Sequence, residues 1–217
     1  MVAVGVFGMG LSGYAQTTAK SATDEMSLAD LRAYMDVLHI KDADERGVRV
    51  QMEAQKKQLP PWFPPSIVDE MTTEMLKVDF AAIEYPSVKT CLTGSGIRAM
   101  TAMFATPDGQ AYANKLTGTI VDSEAKGSDA VAAHQQAEKE DSGVPAGALE
   151  KLAPAQRDLV EDVFKSGAMD CLGTGFGKGN EALTEARTQA ARQVVQAHRV
   201  ELQAAKDKYD AANPAPK

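Results

Sequence analysis

Apolar residues recur along most of this chain at helical spacing, and no stretch alternates apolar and polar at period two. Leu31, Tyr34, Met35 and Leu38 stand at i, i+3, i+4 and i+7, which places all four on one face of a helix. Val48, Met52 and Leu59 form a second stripe, Ile67, Met71, Met75 and Val78 a third, and Ile97, Met100, Met103 and Phe104 a fourth. Tyr112, Leu116 and Ile120 continue the series, followed by Leu159, Val160, Val163 and Phe164, and then by Leu183, Ala190, Val194, Leu202 and Tyr209. A chain patterned in this way buries its apolar stripes by packing helix on helix. The expected fold is all-α: an antiparallel helical bundle with a long C-terminal helix.

Local signals place the ends. Ser27 with Asp30 offers a capping box for a first helix, Ser66 a cap for a third, and Thr93 a cap for a helix over about 94–105. Thr106 before Pro107 marks another start, because proline at the first helical position gives up a donor that has no partner there anyway. The second helix, about 42–59, is stopped by "LPPWFPPS", whose four prolines cannot continue a helical ladder. Tyr85-Pro86 reads as a further break, and "EDSGVPAG" as the clearest linker. The glycines of "CLGTGFGKGN" read as a flexible connector beginning with a left-handed helix stop at Gly173, so the final helix is expected over about 181–211.

Composition narrows the function. Hydrophobic residues make up 44% of the 217 and aromatics only 6%, so the core leans on Leu, Val, Ile, Met and Ala. The formal charge of −7 argues against a broad nucleic-acid footprint, which needs clustered Lys and Arg. Residues 1–15 carry no charge, and Val2 to Leu11 is an apolar run of signal-peptide length with small residues behind it. They read as a signal peptide without the usual basic start; a structural N-terminal helix is the alternative. The expected organisation is then a flexible leader over 16–26, an N-terminal helical domain over 27–141, C-terminal helices over 142–212 packed on it, and a tail over 213–217. Export predicts a bridge between the two cysteines, Cys91 and Cys171, worth about 4 kcal/mol in the chain-entropy model. Two buried free thiols are the alternative.

Two segments, "LTGSGIRAMTAMFATPDG" and "LAPAQRDLVEDVFKSGAM", align without gaps as a candidate degenerate repeat: Leu92 falls on Leu152, Met100 on Val160, Met103 on Val163, Phe104 on Phe164 and Thr106 on Ser166. If the two helices pack antiparallel, Cys91 before one and Cys171 after the other lie at the same end, as a bridge requires.

Phe104, Thr106, Pro107, Gly109 and Gln110, entered through Leu92-Thr93, form an aromatic-x-Thr-Pro-x-Gly-Gln pattern. With it the chain resembles the bacterial domain-of-unknown-function family 2059 over about Leu28 to Ile120, and departs from it at Gly94-Ser95-Gly96, where the family usually has acidic helix formers. The resemblance implies a small, exported helical domain in which these motif residues are structural, and implies no reaction.

The candidate chemical motifs are weak. Gly173 and Gly177 lack P-loop spacing, and Gly179 stands where a magnesium-binding hydroxyl is required. His39, His134 and His198 are far apart and read as surface residues. Gly94-Ser95-Gly96 lacks the spacing of a nucleophile elbow. Methionine pairs 71/75 and 100/103 suit core filling better than copper binding. No cofactor or metal is implied. Trp62 and Phe63, between proline pairs, are the main candidates for a ligand or partner surface, with Phe104 and Tyr112 beside them between the helices. The sequence therefore points to a periplasmic or secreted, monomeric, non-catalytic protein that meets an envelope protein or lipid. A carrier of lipid or a small apolar ligand is the alternative.

Overall fold

A computed structural model describes residues 24–115 and 146–214. They form an all-α fold of ten helices: α1 (Leu28–Val37), α2 (Ile40–Lys56), α3 (Pro65–Leu76), α4 (Phe80–Val88), α5 (Gly94–Phe104), α6 (107–115), α7 (Ala146–Glu150), α8 (Pro154–Lys165), α9 (Ala168–Ala197) and α10 (Arg199–Ala212). Among the described residues, the one β-type pairing is an isolated bridge between Glu25 and Thr93. The N-terminal run, His134 and the stripe at Leu116 and Ile120 lie outside the described residues.

The periodic stripes become the core. Leu31, Tyr34 and Met35 of α1 meet Ile97, Met100, Met103 and Phe104 of α5, Val160 and Val163 of α8 and Leu172 of α9 in one cluster. Leu31, Ile97, Met100, Met103 and Val160 are fully buried, each worth about 1.5–3 kcal/mol over an exposed position. Val48 and Met52 of α2 pack with Val68 of α3 in a second cluster, and Ile67 of α3 packs with Val194 of α9 and Leu202 of α10 in a third. Helix α9 is the spine, lying along both α3 and α4.

Several ends form as the sequence dictates. Ser27 and Asp30 exchange the two bonds of a capping box. The Thr93 hydroxyl accepts from the Gly96 amide at 3.0 Å, and the Thr106 hydroxyl accepts from the Gly109 amide at 3.1 Å. Gly94-Ser95-Gly96 has its own structural reason. The backbone carbonyl of Asp24 accepts from Gly94 N, and its carboxylate accepts from Ser95 N at 2.7 Å and Ser95 Oγ at 2.6 Å. An acid thus sits at the positive end of α5. A side chain at Gly94 would collide with the Glu25 carbonyl at 2.9 Å.

Four expectations need correction. The glycine stretch is not a connector: it lies inside the thirty-residue helix α9. The left-handed stop sits six residues earlier than expected, at Gly167 (φ 75°), between α8 and α9. Glycines cost a helix up to about 1 kcal/mol each, but those at 175 and 179 permit an approach to α4 that a Cβ would block. Tyr85-Pro86 does not break the chain either; α4 starts at the Asp79 cap and carries Pro86 within it, giving up the bond that an N–H at 86 would donate to the Ala82 carbonyl. The expected single final helix is two, α9 and α10, meeting at His198. Finally, α3 starts at Pro65 with Pro64 in the cap position, so proline rather than Ser66 sets its entry.

Candidate functional site

The apolar helix α4 contains one charged residue, Glu84, and it is 1% exposed. It points at α9. A Cβ placed on Gly179 would lie 1.8 Å from Glu84 Oε2, so the missing side chain is the space the carboxyl occupies. One turn earlier, a Cβ on Gly175 would come within 2.8 Å of both the Ser87 carbonyl and Val88 Cγ1. Gly175, Gly179, Leu183 and Arg187 follow one another at four-residue spacing on the inner face of α9.

Arg187 carries the charge of this interface. Its Nη1 donates to Asp44 Oδ1 of α2 at 2.8 Å and its Nη2 to Asp44 Oδ2 at 2.5 Å, a two-pronged bond between mostly buried side chains. Two buried atoms beside it have no hydrogen-bond partner: Glu84 Oε2 and Arg187 Nε. Burial pushes the Glu84 carboxyl up to about 8; the Asp44 carboxylate adds to this, and Arg187 offsets part of it. At neutral pH Glu84 is therefore a neutral acid, able to donate or accept a hydrogen bond, next to an ion pair whose Arg187 Nε still lacks a partner. Sequence reasoning passed over this group because its partners are 40 residues before and about 100 after it. The available signal was a lone carboxylate in the nonamer "FAAIEYPSV".

The residues singled out in the sequence fall into three places. Cys91 and Cys171 are bonded, with 5.4 Å between their Cα atoms and 80 residues between them in the chain. The bridge is at the surface, with Cys91 partly buried and Cys171 exposed, and it ties the turn after α4 to the first turn of α9. Helices α5 and α8 do pack together. Gly96, near the start of α5, lies against Val163, near the end of α8, so they run antiparallel and the cysteines fall at one end. The aligned pairs 100/160 and 103/163 are buried together, whereas Phe164 is exposed where Phe104 is buried.

The motif residues form a structural knot. Thr106 donates to the Met103 carbonyl at 2.7 Å, Pro107 opens α6, and a Cβ on Gly109 would strike that same carbonyl at 2.3 Å. Gln110 donates to the carbonyls of Val37 and Phe104, both at 2.8 Å, and its Oε1 meets His39 Nε2 at 2.9 Å. His39 is held here with a left-handed backbone (φ 54°) between α1 and α2, rather than standing free as a surface residue.

The four candidate surface aromatics do not line one cleft. Phe104 stacks on Tyr112 and meets Tyr34 edge-on within the main core, both at 6.0 Å. Trp62 and Phe63 instead cap the small cluster of Ile67, Val194 and Leu202. Met100 and Met103 are wholly buried and Met71 and Met75 partly so, all within apolar clusters. Among the described residues, no group of His, Cys, Asp or Glu is arranged to hold a metal ion, and no helix is long and apolar enough to cross a membrane. The chain matches no protein-family model, no curated protein and no solved structure.

Proposed function

We propose that this chain is an exported accessory protein of the cell envelope, a disulfide-clipped helical bundle that binds or supports a partner and turns over no substrate. The observation that carries this reading is the Cys91–Cys171 bridge at the surface. A bridge open to solvent persists in oxidising compartments and is reduced by cytosolic thiols. The apolar run from Val2 to Leu11 points the same way. The polar groups described above hold the elements together: Asp24, before α1, binds α5; Gln110 of α6 binds α1 and α5; Arg187 of α9 binds α2. The division of the aromatics between two clusters favours a partner-binding protein over a carrier, whose cleft they would have to line together.

The test is purification from envelope fractions without reductant, followed by mass spectrometry of retained proteins and lipids. A stoichiometric envelope protein supports the reading. Stoichiometric lipid with no protein replaces it with the carrier. Recovery in the cytosol with both thiols free overturns it.

A further inference from the structure

Helices α9 and α10 meet at His198, and both nitrogens of its ring face carboxylates. Nδ1 lies 2.8 Å from Glu201 Oε2, one turn along α10, and Nε2 lies 2.8 Å from Glu70 Oε2 on α3. A neutral imidazole has a single N–H, so one of these contacts would set a lone pair against a carboxylate. Both are satisfied together by the imidazolium alone. The residue thus joins three elements at the hinge between two of them. One turn before and one turn after it, Val194 and Leu202 pack with Ile67 in a cluster against which Trp62, Phe63, Met71 and Val195 lie. Of these, Leu202 is the contribution of α10, and it is the one buried residue of that helix.

We propose that His198 is a pH-operated latch: as an imidazolium it fastens the first turn of α10 to α3 and closes the Trp62 cluster, and on losing its proton it lets go of one carboxylate and loosens that closure. The bonds to Glu201 and Glu70 hold its pKa above the ordinary 6.5. Among the described residues, Glu70 of α3 and Glu201 of α10 are the charged groups that act on it; the other acids of α3, Asp69 and Glu74, are paired with Lys56 and Lys77. A histidine raised on folding gives stability that is complete below about 6.5 and lost as pH rises through the raised value. The latch is therefore closed below about 6.5 and opens as the pH rises through the raised value.

The chain carries its own reporter, because Trp62 is its single tryptophan. Tryptophan emission of the full chain is followed from pH 5.5 to 9.5 in the wild type and in the variants His198→Gln, Glu70→Gln and Glu84→Gln, with histidine Cε1–H resonances titrated in parallel. The expected result is a red shift of emission that tracks the His198 titration, survives in Glu84→Gln, moves to lower pH in Glu70→Gln and disappears in His198→Gln. A shift that survives in His198→Gln and vanishes in Glu84→Gln overturns the latch, assigning the change to the other titrating site. So does a His198 that titrates at or below 6.5, or one that titrates while Trp62 emission stays constant. If His198→Gln does not fold, the Glu70→Gln displacement decides alone: no displacement overturns the proposal.

Discussion

Replacing Glu84 by Gln should make the protein more stable at neutral pH, although it removes a buried group from a helix interface. The carboxyl titrates at about 8 in the fold against an ordinary 4.5. Between those values the folded chain holds a proton that the unfolded chain has released. Stability from this group is thus complete below 4.5 and falls as pH rises, by about 1.4 kcal/mol per pH unit, until the folded carboxyl itself ionises. At pH 7 the accumulated cost is about 3 kcal/mol. Glutamine has the shape of the protonated acid and no titration, so it escapes that cost. Its second N–H finds no acceptor beside Gly179, which takes back about 1 kcal/mol. The net expectation is a gain of about 2 kcal/mol at pH 7, vanishing or slightly reversed at pH 4.5. The assay is urea unfolding of wild type and variant at pH 4.5, 6, 7 and 8.5; taking the difference cancels the titrating groups that do not interact with Glu84. A difference that does not change with pH, or a variant less stable than wild type at pH 7, would refute the reasoning. It would mean that Glu84 is already ionised in the fold and bonded to Arg187.

The glycines of α9 should divide by face: Gly175→Ala and Gly179→Ala should each destabilise by about 1–3 kcal/mol through overpacking against α4. Gly173→Ala and Gly177→Ala, where a Cβ meets nothing within 4 Å, should each stabilise by up to about 1 kcal/mol through helix propensity; denaturant melts of the four single variants check both signs. Gln110→Ala should cost about 2–3 kcal/mol, since it strands the carbonyls of Val37 and Phe104 and the His39 ring, and it should unsettle the α1–α2 junction, which amide exchange at residues 37–41 would register.

What was legible in the sequence is what depends on neighbours in the chain. The spacing of Leu31, Tyr34, Met35 and Leu38 predicts a buried face, and all four are buried. Thr93 and Thr106 cap helices because the hydroxyl and the amide it accepts from are three residues apart. The cysteine bridge was legible from an even pair of cysteines in a chain read as exported, and the antiparallel pairing of two similar segments supported it. What depends on distant partners was not legible. Four glycines in seven residues argue locally for a connector, and the close approach of α4 that makes two of them necessary is a tertiary fact. Pro86 argues locally for a break, whereas α4 runs through it and packs along α9. The Glu84–Arg187–Asp44 group joins three helices far apart in the chain. Trp62 and Phe104 were grouped because both are aromatic and apolar, but they belong to different clusters.

The proposed export requires that the Cys91–Cys171 bridge be formed in the native cell. The most direct measurement is peptide mapping of the protein from its native cell, with free thiols alkylated at lysis and digestion carried out without reductant. The expected result is a single cross-linked pair of peptides containing Cys91 and Cys171, with neither cysteine alkylated. Recovery of both cysteines in alkylated, unlinked peptides would contradict it.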